Sequence, residues 1–294
     1  MEKRNHIEGL YQPSRAKDSC GFGLIAHQNG KASHELVSTA CKALARMTHR
    51  GAIAVDGKTG DGCGVLMQFP RSFFKKVAKE EGMRLARVFG VGMVFMNTDP
   101  EIAARSRKIL KRHIKNETLS IAGWRRVPIN PSVCGPTALD SMPCIEQVFV
   151  DAPPGWAPHD VERRLFVARR MAAAENMNLD QPDEMFYVAA LSNLTSVYKG
   201  LVMPENLPEF YPDLKDPRLK SAICLFHQRF STNTLPDWRY AQPFRVLAHN
   251  GEINTIEGNR SWSEARAPKF QTPLLPDLQK ISPLVNQEGS DSSS

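Results

Sequence analysis

Apolar and polar positions follow two rhythms along this chain. Between residues 33 and 47, Leu36, Val37, Ala40, Cys41, Leu44 and Ala45 recur at helical spacing, which predicts a helix and assigns Cys41 to its buried stripe and not to chemistry. Short apolar runs at 21–27, 65–69, 88–96, 120–127 and 146–150 read as strands, and Asn29-Gly30 turns the first of them back. Pro70 opens a helix that Gly82 closes. Asp99-Pro100-Glu101 opens another, with an acidic cap and proline in its first turn, running to about residue 116. A further helix is expected over 160–176, then a strand pair within 185–198 turning at Ser192-Asn193. The Pro-rich stretch 203–217 reads as a connection, and 221–232 as a strand with a polar end. After Trp238, residues 244–249 form a short apolar strand that meets Asn250-Gly251. A helix then starts near Asn254, with Glu257 placed for a capping box. Strands alternate with helices in the middle and cluster at both ends. Residues 1–19 are polar and offer no apolar face, so they are expected to be a leader removed on maturation.

Composition narrows the class. Of the 294 residues, 41% are hydrophobic and 23% charged, with a formal net charge of +7, as in ordinary globular proteins. The densest basic stretch, from Arg163-Arg164 to Arg169-Arg170, is interrupted by Leu165, Phe166 and Val167 at helical spacing. It reads as the wet face of a helix, and no nucleic-acid partner is expected. The six cysteines show neither a CxxC pair nor zinc-like spacing with histidine, and no metal site is expected. No run has the length of a membrane span or the core of a signal peptide, so a reducing, cytoplasmic setting without membrane attachment is expected. Gly21-Phe22-Gly23-Leu24-Ile25-Ala26 formally matches a dinucleotide pattern, but no apolar strand precedes it. Gly57-Lys58-Thr59 resembles the end of a phosphate-binding loop, but Ala52 stands where that motif needs glycine.

The candidate chemistry starts at Cys20, where a polar stretch gives way to a folded one. A cysteine freed as the first residue carries a thiol and an α-amine, and that amine has an ordinary pKa near ~8 against ~10.4 for lysine. It can act as the general base for its own side chain. The plain alternative is a small apolar residue at a strand start. Arg229 ends a strand on the face of His227 and Leu225, where its fork could hold a carboxylate or close a salt bridge. Asn250-Gly251 is either a tight turn or, through the Asn250 amide and the Gly251 N–H, a pair of donors for a tetrahedral oxyanion. His249 is expected to be a buried, hydrogen-bonded histidine.

With these residues in order, the chain resembles the class II glutamine amidotransferases, whose glutaminase domain is an N-terminal-nucleophile hydrolase. The likeness rests on Cys20-Gly21-Phe22-Gly23, His49-Arg50-Gly51, the run His227-Gln228-Arg229-Phe230-Ser231-Thr232-Asn233-Thr234, the run from Ala241-Gln242-Pro243-Phe244 to Thr255, and Gly289-Ser290-Asp291-Ser292. Details of the third and fourth motifs resemble the glutamate synthase branch more than the purine, aminosugar or asparagine branches. The resemblance implies an α+β fold, a four-layer αββα sandwich, over residues 20–294, truncated at its C-terminal end. It implies Cys20 as nucleophile, Asn250 and Gly251 as the oxyanion hole, Arg229 and Arg50 on the α-carboxylate of L-glutamine, and Asp291 on its α-ammonium. FMN and an iron–sulfur cluster would belong to a downstream synthase part of the same chain, with a small reductase subunit as a further partner. Two other classes stay open: a non-catalytic glutamine-binding or structural module, and a papain-like hydrolase. The second expects its cysteine at a helix start, whereas Cys20 opens a strand.

Overall fold

The computed structural model describes residues 21–228, 236–245 and 255–287. The chain opens with strand β1 (Phe22–Ala26) and helix α1 (His34–Ala45), whose N-cap Ser33 accepts from the Leu36 N–H at 3.1 Å. Strand β2 (Cys63–Gln68), helix α2 (Arg71–Glu80) and strand β3 (Phe89–Met96) follow. Helix α3 (Pro100–Asn116) starts as its sequence predicts, with the Asp99 carboxylate accepting from the N–H groups of Glu101 and Ile102. Next come β4 (Ser120–Arg126), α4 (Pro136–Asp140), β5 (Cys144–Asp151) and α5 (Pro158–Met177). A hairpin of β6 (Tyr187–Ser192) and β7 (Thr195–Gly200) leads through α6 (Leu207–Phe210) to β8 (Ile223–Gln228), and α7 (Ile256–Arg266) comes last.

Among the described residues the strands form two four-stranded antiparallel sheets, ordered β1-β8-β2-β7 and β4-β5-β3-β6. With helices packed on them they make the α+β sandwich expected from the resemblance. Helix α1 packs on β1 and β8, α5 on β6 and β3, and α3 lies against α5. The central strand β3 is buried along its whole length and divides its side chains by alternation. Phe89, Val91, Met93 and Phe95 enter the larger core with α1, α2 and the first sheet, while Val94 and Met96 enter a second core with residues of α3 and α5.

Several local expectations need correction. The strand expected over 65–69 begins two residues earlier: Cys63 is the first residue of β2, fully buried, its thiol donating to the Val202 carbonyl at 3.1 Å. The connection over 203–217 contains α6 and two short 3₁₀ turns. Helix α7 has Thr255 as its N-cap with no side-chain capping bond, and Asn254, expected to start it, lies outside the described residues. The basic face of α5 is not all wet. Arg169 is buried, and Arg170 donates to the Ile281 and Pro283 carbonyls. A later stretch of chain covers that face, which periodicity within one helix cannot reveal.

Candidate active site

Of the six residues expected to act, Arg50 is among the described residues. Cys20, Arg229, Asn250, Gly251 and Asp291 lie outside them, as does His249. The covalent neighbours of the first two are described, and they meet. In the β1–β8 ladder Phe22 faces His227, and one step further the Gln228 N–H donates to the Gly21 carbonyl at 2.6 Å. Gly21 is bonded to Cys20 and Gln228 to Arg229. Antiparallel pairing therefore brings two motifs some two hundred positions apart to one end of the first sheet.

Arg50 comes to the same end by a different route. It closes a 3₁₀ turn, Thr48–Arg50, that continues from α1. The Thr48 hydroxyl bonds the Ala45 carbonyl and the Glu205 carboxylate, both at 2.8 Å. Beyond it, Gly51 lies against the Gln228 side chain: a Cβ added there would sit 1.9 Å from Gln228 Nε2 and 2.7 Å from Asp61 Oδ1. Only glycine lets the backbone pass so close. Asp61 ties this corner together. Its Oδ2 accepts from the Ala52 N–H at 3.0 Å and its Oδ1 from Gln228 Nε2 at 3.3 Å, while its own N–H donates to the Ala52 carbonyl at 3.2 Å. Asp61 and Gln228 are both buried. They link the Arg50 turn to the end of β8; the motifs give Gln228 no role of its own and leave Asp61 out. The available signal was a lone acidic residue between Gly60 and Gly62.

The loop from Ala52 to Gly60 folds onto α4. Asp56 accepts from the N–H groups of Lys58, Thr59 and Thr137 and from the Thr59 hydroxyl. These bonds hold its carboxyl well below the usual carboxylate range, with the Thr59 hydroxyl foremost. Gly57-Lys58-Thr59 is thus part of an Asp-capped turn followed by a strand, not by the helix a phosphate loop requires.

Segment 236–245 leads toward Asn250. Trp238 is buried and donates to the Ala138 carbonyl at 3.1 Å. The Gln242 carbonyl oxygen approaches the start of β2 so closely that a Cβ on Gly64 would lie 2.7 Å from it. The segment leading toward Asp291 is also held: Arg260 Nε donates to the Asn286 carbonyl at 3.0 Å, and Arg170 reaches the Asn286 side chain at 3.4 Å.

The five described thiols are all unsuited to attack. Burial pushes Cys41 and Cys224 up to about 12 and Cys134 to about 11, and raises Cys63 well above its ordinary value. Cys144 is raised by burial and by Glu146. A thiol that keeps its proton is a poor nucleophile. A cavity of about 290 Å³ lies on the other sheet, lined in part by Asn97, Arg107, Arg126 and Glu146, but its Arg107 and Glu146 already pair at 2.8 Å. Among the described residues no cluster of histidine, cysteine and carboxylate could hold a metal, and no helix is long and apolar enough to cross a membrane.

Comparison with known proteins gives a consistent picture. A family model described as glutamine amidotransferases class-II matches residues 20–294. The chain is 42% identical over 288 residues to the glutamate synthase [NADPH] large chain of Bacillus subtilis, covering 97% of this chain and 19% of that protein. It is 41% identical to ferredoxin-dependent glutamate synthase 2 of Synechocystis, over 94% of this chain and 18% of the relative. The glutamate synthase [NADPH] large chain of Azospirillum brasilense is 39% identical, over 97% and 19%. The chain therefore spans less than a fifth of the length of these relatives.

Proposed function

Because the chain belongs to the class II glutamine amidotransferase family, we propose that it releases ammonia from L-glutamine through a γ-glutamyl thioester on Cys20. The observation that carries this reading is the convergence of Gly21, Gln228 and Gly51 at one end of the first sheet. Each is bonded to a residue with a part in that reaction: Cys20, Arg229 and Arg50. In the proposed sequence, residues 1–19 are removed, and the Cys20 α-amine takes the thiol proton as sulfur attacks the side-chain amide carbon. The negative charge that develops on the amide oxygen meets the Asn250 side chain and the Gly251 N–H. Collapse of this intermediate expels ammonia with the proton returned by the ammonium, and water then hydrolyses the thioester to glutamate. Arg229 and Arg50 hold the substrate's α-carboxylate and Asp291 its α-ammonium. One end is thus fixed by charge while the other reacts.

The names of the relatives support a longer reading. The ammonia would pass to a synthase part of the same chain, for amination of 2-oxoglutarate with FMN and an iron–sulfur cluster, in a cytoplasmic enzyme that also engages a small reductase subunit. No residue described here is assigned to those cofactors.

The test is a reactive γ-glutamyl analogue incubated with protein whose chain begins at Cys20. Label is expected on Cys20 alone, and protein that retains residues 1–19 should take up none, because an acylated nitrogen cannot accept the proton. Label on Cys63, or equal labelling with the leader in place, would refute the proposal.

A further inference from the structure

Lys199, the penultimate residue of β7, is fully buried. An ammonium removed from water needs a counter-charge or costs several kcal/mol, yet Lys199 forms no ion pair with a carboxylate among the described residues. Its surroundings are of another kind. The Nζ donates to the Arg239 carbonyl at 2.9 Å and lies over two aromatic faces, 4.4 Å from the Phe244 centroid and 4.8 Å from that of Tyr187. Ring faces attract a cation most strongly where water is excluded. Two of these three contacts, Arg239 and Phe244, come from the segment that runs on to Asn250. The third, Tyr187, is at the start of β6 in the other sheet.

We propose that Lys199 is a positioning residue for the proposed glutaminase chemistry: its buried charge holds the Arg239–Phe244 segment, from which the chain runs on to Asn250 and Gly251, against both sheets. This rests on the reading of Asn250 and Gly251 given above. The packing around it supports a close fit, since Gly64, the ladder partner of Lys199 in β2, leaves room for the Gln242 carbonyl where any side chain would collide. A hydrophobic side chain could fill the same space, so packing alone does not require a charge there.

The charge is also changeable. Burial lowers the Lys199 pKa to about 8; Tyr187 opposes that shift, Arg245 adds to it, and Asp237 opposes it weakly. Asp237 is itself engaged by Arg239, at 2.7 Å. Tyr187 faces Arg169 of α5 and Arg245 as well as Lys199; burial raises its pKa, but the three cations outweigh this and leave it below its ordinary value. As pH rises past 8 the ammonium loses its proton, and its attraction for the two rings goes with it.

The experiment compares wild type with Lys199→Met, a side chain of similar length without charge, in the full-length chain matured to start at Cys20. Stability is expected to hold or rise. The kcat for glutamine hydrolysis is expected to fall about ten- to a hundred-fold, as misplacement of catalytic groups does, with KM nearly unchanged. The wild-type kcat should also lose a component above pH 8 that the variant lacks. A folded variant with kcat within two-fold of wild type, or two pH profiles that superimpose after scaling, would overturn the proposal. Should Lys199→Met fail to fold, Phe244→Leu removes one ring face and keeps the lysine. A fall in kcat at constant KM then supports the proposal, and an unchanged kcat refutes it. Wild type that does not hydrolyse glutamine at all would instead refute the underlying function.

Discussion

Two buried cations in this protein are treated in opposite ways. Arg125, on β4, meets Asp213 through two parallel hydrogen bonds of 2.7 and 2.8 Å and donates to Gln147 at 2.9 Å. The Tyr198 hydroxyl donates to the same carboxylate at 3.0 Å, and burial with that carboxylate keeps the phenol protonated, its pKa well above the ordinary value. Burial alone would lower the Arg125 pKa, but Asp213 more than offsets it and leaves it raised. Lys199 lies among two rings and the Arg239 carbonyl, with a pKa pulled down to about 8. A planar, bidentate pair in a closed network fixes a charge permanently. A lone ammonium on π faces leaves one that ordinary pH can remove. The first arrangement suits a joint between elements, and the second stands beside the segment that leads toward the proposed oxyanion residues.

The largest effect expected from breaking this comparison is on stability. Arg125→Met would strand Asp213, buried and charged, and should cost about 3–5 kcal/mol. Chemical denaturation of the variant beside Lys199→Met measures the difference directly. Equal losses in the two would mean that both cations are structural and that the contrast is empty.

The site end should break on rate, not on stability. In the proposed mechanism Asn250→Asp puts a negative charge where one develops. Removing such a donor costs about 2.7–4 kcal/mol of barrier, or ~10²–10³ in kcat. Glutamine binding should change far less, because the ground-state carbonyl carries little charge. Steady-state kinetics with a denaturation curve on the same sample separates the two effects. A matched fall in stability and activity would place Asn250 with Arg125.

The contrast also follows what the sequence could reveal. Helices α1 and α3 are legible from local signals, the apolar stripe of the first and the acidic cap with proline of the second; the Ser33 cap emerges from the structure. The nucleophile, oxyanion and carboxylate candidates were legible as motifs, since each is a short run of chemically unusual residues. The joints between motifs were not. Gln228 and Asp61 are 167 positions apart, and their contact exists only because β8 lies between β1 and β2 and the Arg50 turn folds against its end. Arg169 reads with its basic neighbours as part of a wet face, yet it is buried, and Arg170 beside it reaches the Ile281 carbonyl. Lys199 follows Tyr198 in an alternating strand, and alternation would send one of the two outward; here both are fully buried.

The smallest effect sharpens the comparison most. A buried base whose folded pKa lies below its ordinary value favours the neutral form, so between about 8 and 10.5 the unfolded chain binds more protons at Lys199 than the folded one. Stability must then rise with pH in that window. Near pH 9 and above the buried thiols act in the opposite sense. Cys41 and Cys224 keep their protons to about 12 when folded and lose them near 9 when unfolded, so folding weakens as pH climbs. Arg169, lowered to about 9, adds a rise of its own there. Between pH 8 and 9 Lys199 should contribute about 1 kcal/mol, or roughly 2 °C in the unfolding midpoint of a chain this size. The thiols and Arg169 act in the same interval but equally in wild type and Lys199→Met, so the difference between the two isolates Lys199. Wild type should gain that much relative to Lys199→Met over the interval, and Arg125, charged throughout, should contribute nothing. Activity should move the other way, falling as the fold grows stronger. Parallel slopes for wild type and Lys199→Met would show that Lys199 holds its proton as firmly as Arg125 does, and the distinction between a fixed and a removable buried charge would be lost.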